Sequence, residues 1–114
     1  MNIPMELSRI LIREVIDHQI IELREREPAD GAAARTFPIV IGLPEAQAIE
    51  RRLKGIEIKR PQTHDLLANL LEAVGASLDS ITIHDLNEHT FYASLRIEKE
   101  DGEVVEVDSR PSDA

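Results

Sequence analysis

The spacing of apolar residues along the chain changes period twice, and each change marks a change of element. Met5 to Ile16 is rich in Ile, Leu and Val and predicts a strand, with Asp17-His18 as a short turn. "QIIELRE", Gln19 to Glu25, returns as its hairpin partner. "EPADGAAAR", Glu27 to Arg35, breaks the pattern with Pro28 and Gly31 and predicts a mobile loop. "TFPIVIG", Thr36 to Gly42, is a short apolar strand. The period then lengthens. "LPEAQAIERRLKG" puts Pro44 and Glu45 in a first helical turn, Ala46, Ile49 and Leu53 on one face, and Gly55 just past the end. Arg51, Arg52 and Lys54 suit the negative end of that helix. A second helix is predicted from about Thr63 to Val74, with Leu66, Leu67, Leu70, Leu71 and Val74 as its apolar face and Gly75 as its stop. Period two then returns in Ser80 to Leu86, Thr90 to Glu98 and Glu103 to Asp108. These strands are joined by "NEH" and by "EDG", the latter a strong hairpin signal.

The order is βββααβββ, followed at "SRPSDA" by the start of a third helix that is cut short. Hairpins dominate, so the fold class is α+β: a mostly antiparallel mixed sheet of about six strands packed against two helices. No linker interrupts the pattern, and residues 1–114 are expected to form one domain.

Composition narrows the chemistry. The apolar fraction is 42%, nearly all aliphatic, and Phe37, Phe91 and Tyr92 are the only Phe, Tyr or Trp residues. With so few aromatic rings, base stacking has little to work with. There is no cysteine, which removes disulfide frameworks and cysteine-based zinc sites and suits a cytoplasmic setting. No apolar run reaches the roughly 20 residues that span a bilayer, and the N-terminus has no secretory-signal pattern, so no membrane role is expected. Net charge is −9, and it is uneven: residues 58–114 hold five basic and twelve acidic side chains. Such a surface repels phosphate backbones, so nucleic acid fits better as a substrate than as a tight ligand. Carboxylates gathered around a divalent cation would remain compatible with a nuclease.

Two segments repeat an Arg-Pro signal. In "KRPQTHDLL" Arg60 is held extended by Pro61, Thr63 is placed to cap the second helix, and Asp65 lies in its first turn. In "SRPSDA" Arg110, Pro111, Ser112 and Asp113 follow the same plan. The capping role is the simpler one for Thr63 and Asp65. The arginines either bind anions at the helix starts or pair internally with Asp65, Asp108 or Asp113, and in so acidic a chain the internal pair is the more economical. The histidines are His18, His64, His84 and His89; none is spaced as a helical zinc pair. A glycine-rich phosphate loop, a nucleophile elbow and a cysteine nucleophile are all absent.

"FPIVIGLPEAQAI", "RPQTHDLL", "TFYASL" and "VDSRPSDA" occur in the order and approximate spacing of the bifunctional nuclease domain, and the chain resembles that family from about Met5 onward. The resemblance implies an α+β fold, self-association as a homodimer or higher homo-oligomer, and cleavage of DNA and RNA. It carries over no settled catalytic set. The family continues past the second Arg-Pro motif into an apolar helix, so the resemblance implies that this helix is missing here and that apolar surface is left for a partner chain to cover. On this basis Asp65, Asp108 and Asp113 are candidates to hold magnesium or manganese or to activate water. His64 is a candidate general acid or base, and Arg60 and Arg110 are candidates to steady a phosphate. The rival expectation is a non-catalytic homo-oligomeric module that binds a protein partner or a small ligand.

Overall fold

The computed structural model describes residues 2–13, 18–86 and 90–114, with the side chains of all but 85, 86 and 90 among them. Residues 14–17, which would finish the first expected strand and its turn, and residues 87–89, including His89, lie outside the described residues. The elements are β1 (Met5–Leu11), β2 (Gln19–Glu25), β3 (Thr36–Ile41), α1 (Leu43–Lys54), α2 (Thr63–Ala73), β4 (Ala76–Leu86), β5 (Thr90–Lys99) and β6 (Val104–Ser109). Class and order agree with the α+β expectation. The sheet does not: the six strands form two three-stranded antiparallel sheets, β1-β2-β3 and β4-β5-β6, rather than one. Within each sheet, every pairing is between strands adjacent in sequence. The chain correspondingly divides into two compact units, Met1–Glu57 and Ile58–Ala114.

In the first unit, the register puts Gln19, Ile21, Leu23 and Glu25 of β2 on the same face as Ile39 and Ile41 of β3. Ile39 and Ile41 are buried, as are Ala46 and Ala48 of α1, which packs against β2. These alanines are the buried residues of the helix, and Leu53, expected on the packed face, is exposed. Its ends are set locally. The Ala46 N–H donates to the Gly42 carbonyl at 3.0 Å. Gly55 adopts φ 66°, and the N–H groups of Gly55 and Ile56 donate to the carbonyls of Arg52 and Arg51. That left-handed turn is where glycine costs least.

Two polar residues on the packed face are buried, and both are satisfied. Gln19 Nε2 donates to the Arg13 carbonyl at 2.8 Å, while Gln19 Oε1 accepts from the Arg13 N–H. This side-chain amide thereby supplies two hydrogen bonds of the kind a backbone rung would make, and leaving those groups unpaired costs about 1–3 kcal/mol. At the other end of β2, Glu25 accepts from Arg35 Nε at 2.7 Å and from the Arg35 N–H at 3.0 Å. The Glu25 N–H also donates to the Arg35 carbonyl at 3.0 Å. The segment expected to be a mobile loop is thus clamped at its base.

In the second unit, α2 packs along β4, an edge strand of the sheet. No α2 residue is buried, and Leu66, Leu67, Leu70 and Val74 are all exposed. The apolar face expected from their spacing has only the narrow surface of an edge strand to cover, and only Leu71 is half-buried. Gly75 reverses the chain into β4 at φ 73°, and a side chain there would collide with that of Glu100. β4 begins at Ala76 rather than Ser80 because Asp79 is a bulge: Leu78 pairs with Ile97 and Ser80 with Arg96. The β5–β6 turn forms as expected, with Gly102 at φ 86° and the Lys99 N–H donating to the Glu103 carbonyl at 2.9 Å. On one face of this sheet lie Ile81, Ile83, Ala93, Leu95, Ile97, Val105 and Val107, with Ala93 fully buried.

The Arg35 clamp holds the Glu25 carboxyl below its ordinary range, first through the side-chain hydrogen bond and then through the backbone one. The same contacts raise Arg35. A carboxyl depressed in the folded state stabilises fully above its unfolded value and loses that contribution as pH falls through the folded value. Urea midpoints measured from about pH 6 down to pH 3 should therefore fall less steeply for Glu25→Gln than for the wild type. Parallel curves would show that the clamp contributes nothing to acid sensitivity.

Candidate functional site

All six candidates from the sequence, Arg60, His64, Asp65, Asp108, Arg110 and Asp113, belong to the second unit. That unit carries most of the acidic excess of the chain. Arg60 lies in the irregular segment before α2, with an extended Gln62 as the N-cap. Thr63 is the first residue of the helix and not its cap, one position from expectation. Proline at 61 and the extended Gln62 carry the chain past Arg60 before helical geometry begins. Asp65 does cap: its Oδ2 accepts from the Gln62 N–H at 3.0 Å, the return half of a capping box. His64 is exposed in the first turn beside it.

The second Arg-Pro segment makes a single turn. The N–H groups of Asp113 and Ala114 both donate to the Arg110 carbonyl at 3.1 Å. Arg110 Nε donates to Asp113 Oδ2 at 2.6 Å, and the Ser109 hydroxyl donates to the same Arg110 carbonyl. The arginine is paired internally, as the charge balance favoured. Both side chains are largely exposed, 77% and 44%, so the pair adds less than about 1 kcal/mol. Asp108 differs from the others. It is exposed on β6, directly opposite Ser94 of β5, and belongs to neither the cap nor an ion pair among the described residues.

Among the described residues, no three His, Asp or Glu side chains gather into a group that could hold a metal ion. His64, Asp65, Asp108 and Asp113 therefore do not form an all-protein cage. Magnesium seldom uses one; it is held by one or two carboxylates, water and substrate phosphates. Asp108 is the carboxylate with the fewest other duties.

Sequence reasoning missed a second group on the same sheet. Strand alternation and register place Thr82, His84, Tyr92, Ser94 and Asp108 together on the polar face, opposite Ile83 and Ala93. His84 Nε2 lies 3.3 Å from Ser94 Oγ. The His84 and Tyr92 rings are nearly parallel, at 16°, with centroids 6.2 Å apart. Arg96, on this face too, is engaged by Asp79 at 3.4 Å and Glu106 at 3.9 Å. Counting by twos along β5 and β6 from the Asp101-Gly102 turn recovers Tyr92, Ser94 and Asp108, but Thr82 and His84 join them only through the β4–β5 register.

Because Asp65 is a cap, its removal has a structural cost distinct from any chemistry. Asp65→Ala should lower unfolding free energy by about 1 kcal/mol, measured by urea denaturation, whereas Asp65→Asn retains an acceptor and should lose much less. Equal losses would assign the effect to charge rather than to the cap hydrogen bond.

The motif order agrees with comparison to known proteins. The model of the bifunctional nuclease domain matches residues 27–114, which takes in part of the first unit and all of the second. Uncharacterized proteins from two strains of Mycobacterium tuberculosis are each 45% identical to the chain over 80 residues. That alignment covers 70% of this chain and 46% of each of theirs. No helix among the described residues is long and apolar enough to cross a membrane. With its motifs in order and the family model matched over most of its length, the chain belongs to the bifunctional nuclease domain family.

Proposed function

We propose that this domain hydrolyses phosphodiester bonds in DNA and RNA. The observation that carries the proposal is the match to the bifunctional nuclease domain across residues 27–114. The second unit supports it with an exposed carboxylate, Asp108, on an open polar face, and with His64 exposed beside the α2 start. In this reading Asp108 would hold a magnesium or manganese ion. When bound, the ion supplies Lewis-acid polarisation of the phosphate. His64 or a residue of the polar face moves the proton, and Asp65 and Asp113 shape the local field while capping and pairing. Arg60 and Arg110 steady the phosphate, Arg110 only by giving up part of its contact with Asp113. Cleavage of labelled DNA and RNA with magnesium or manganese tests this directly. Purified wild type should cut both, and Asp108→Asn should slow cleavage by about 100-fold or more. Activity that persists undiminished through His64→Ala, Asp65→Asn, Asp108→Asn and Asp113→Asn is contamination and sinks the reading.

A second reading is favoured by a separate observation. Leu66, Leu67, Leu70 and Val74 form an exposed apolar row on α2, between 48% and 75% exposed. Rows of this kind mark contact surfaces. In this reading the domain is a homo-oligomeric module that binds a protein partner or a small ligand. Light scattering coupled to gel filtration should show an oligomer that Leu67→Glu with Leu70→Glu converts to monomer. A wild type that is monomeric at high concentration contradicts it.

A further inference from the structure

The polar face of the β4-β5-β6 sheet has more chemistry than solvation requires. An antiparallel sheet needs only hydrophilic side chains on its open face. Here the polar face holds the chain's only tyrosine, half-buried, an exposed histidine with its ring nearly parallel to it, two half-buried hydroxyl residues and an exposed carboxylate. Tyr92 and Ser94 come from the central strand, flanked by Thr82 and His84 on one side and Asp108 on the other. The His84 Nε2 contact with Ser94 Oγ fixes the imidazole against the sheet.

We infer that this face binds an unpaired nucleobase, stacked on the Tyr92 and His84 rings with its edge toward Ser94 and Asp108. The inference deepens the nuclease reading, on which it rests for the class of polymer, by naming the substrate as single-stranded. Three observations point this way. First, the surface is wrong for phosphate: the unit holds five basic against twelve acidic side chains, and the one arginine on this face is engaged by Asp79 and Glu106. Affinity must therefore come from the base rather than from counterion release, and it should depend little on salt. Second, aromatic rings on a sheet face stack bases, and such stacking is available only when the base is unpaired. In a duplex the faces are hidden within the helix. Third, carboxylate and hydroxyl groups beside the rings match the amino and ring N–H donors of a base edge. The paucity of aromatic residues in the chain is thus offset by their placement.

The chain reports on this site itself. It has one tyrosine and no tryptophan, so intrinsic fluorescence is that of Tyr92. In metal-free buffer, a single-stranded pentanucleotide should quench it, and a mononucleotide should do so more weakly or equally according to whether the strand or the free base is preferred. The same sequence as a duplex and inorganic phosphate should leave it unchanged. By anisotropy of a labelled oligonucleotide, Tyr92→Ala and His84→Ala should each weaken binding by about 5- to 150-fold, while Tyr92→Phe should retain most of it. Absence of quenching by the single strand and the mononucleotide at millimolar concentration overturns the inference, as does quenching by duplex or phosphate alone, or unchanged affinity in His84→Ala. The two proposals fail separately. Quenching without cleavage on adding metal removes the nuclease reading and keeps the base site. Cleavage with no change at Tyr92 removes the base site and keeps the nuclease.

Discussion

The hydrogen-bond register of β5 is the constraint on which the second unit depends. This strand pairs with β4 on one side and β6 on the other, so its residues from Ala93 to Glu98 acquire neighbours from both. Ala93 is fully buried, while Tyr92 and Ser94, one residue away on either side, face the other way. A shift of one residue in either ladder would exchange the two sets and destroy core and polar face together. The Lys99–Glu103 turn, with glycine at its left-handed position, holds one of those ladders in register. The core and the polar face of this unit are therefore specified by the same local hydrogen bonds.

The two Arg-Pro segments do what capping and internal pairing require of their residue types. Asp65 accepts a backbone hydrogen bond at the start of α2, and Asp113 accepts from Arg110 within a single turn. Both carboxylates are engaged in shaping the chain, Asp65 at the start of a helix and Asp113 in the turn after β6. Asp108, two residues before the second motif, has no such engagement among the described residues and shares its face with His84, Tyr92 and Ser94.

Much of the fold was legible because it is local. Proline and glycine bracket α1 where expected, the Asp101-Gly102 hairpin closes as expected, and all six strands exist in the expected order. The errors have physical causes. Asp79 bulges out of β4, leaving Leu78 and Ile81 three residues apart on one face, and this breaks the alternation that would have announced the strand from Ala76. Ser8 bulges likewise in β1, between Leu7 and Arg9, yet that strand begins at Met5 as expected. The division into two sheets was not legible, because six antiparallel strands read alike whether or not the third pairs with the fourth. Nor was the polar face, since His84, Ser94 and Asp108 are ten and fourteen residues apart and only the register unites them. Individual residues such as Asp65 were legible in role but not in full: the box with Gln62 replaced the expected cap by Thr63.

Whether chemistry resides on the sheet or at the helix starts can be decided by mapping contacts residue by residue. Backbone amide shifts should be followed by NMR as a single-stranded pentanucleotide is added to the whole chain. Changes concentrated at Thr82, His84, Tyr92, Ser94 and Asp108 are the expected result. Changes confined to residues 60–65 and 110–113, with the β5 amides unmoved, would contradict it.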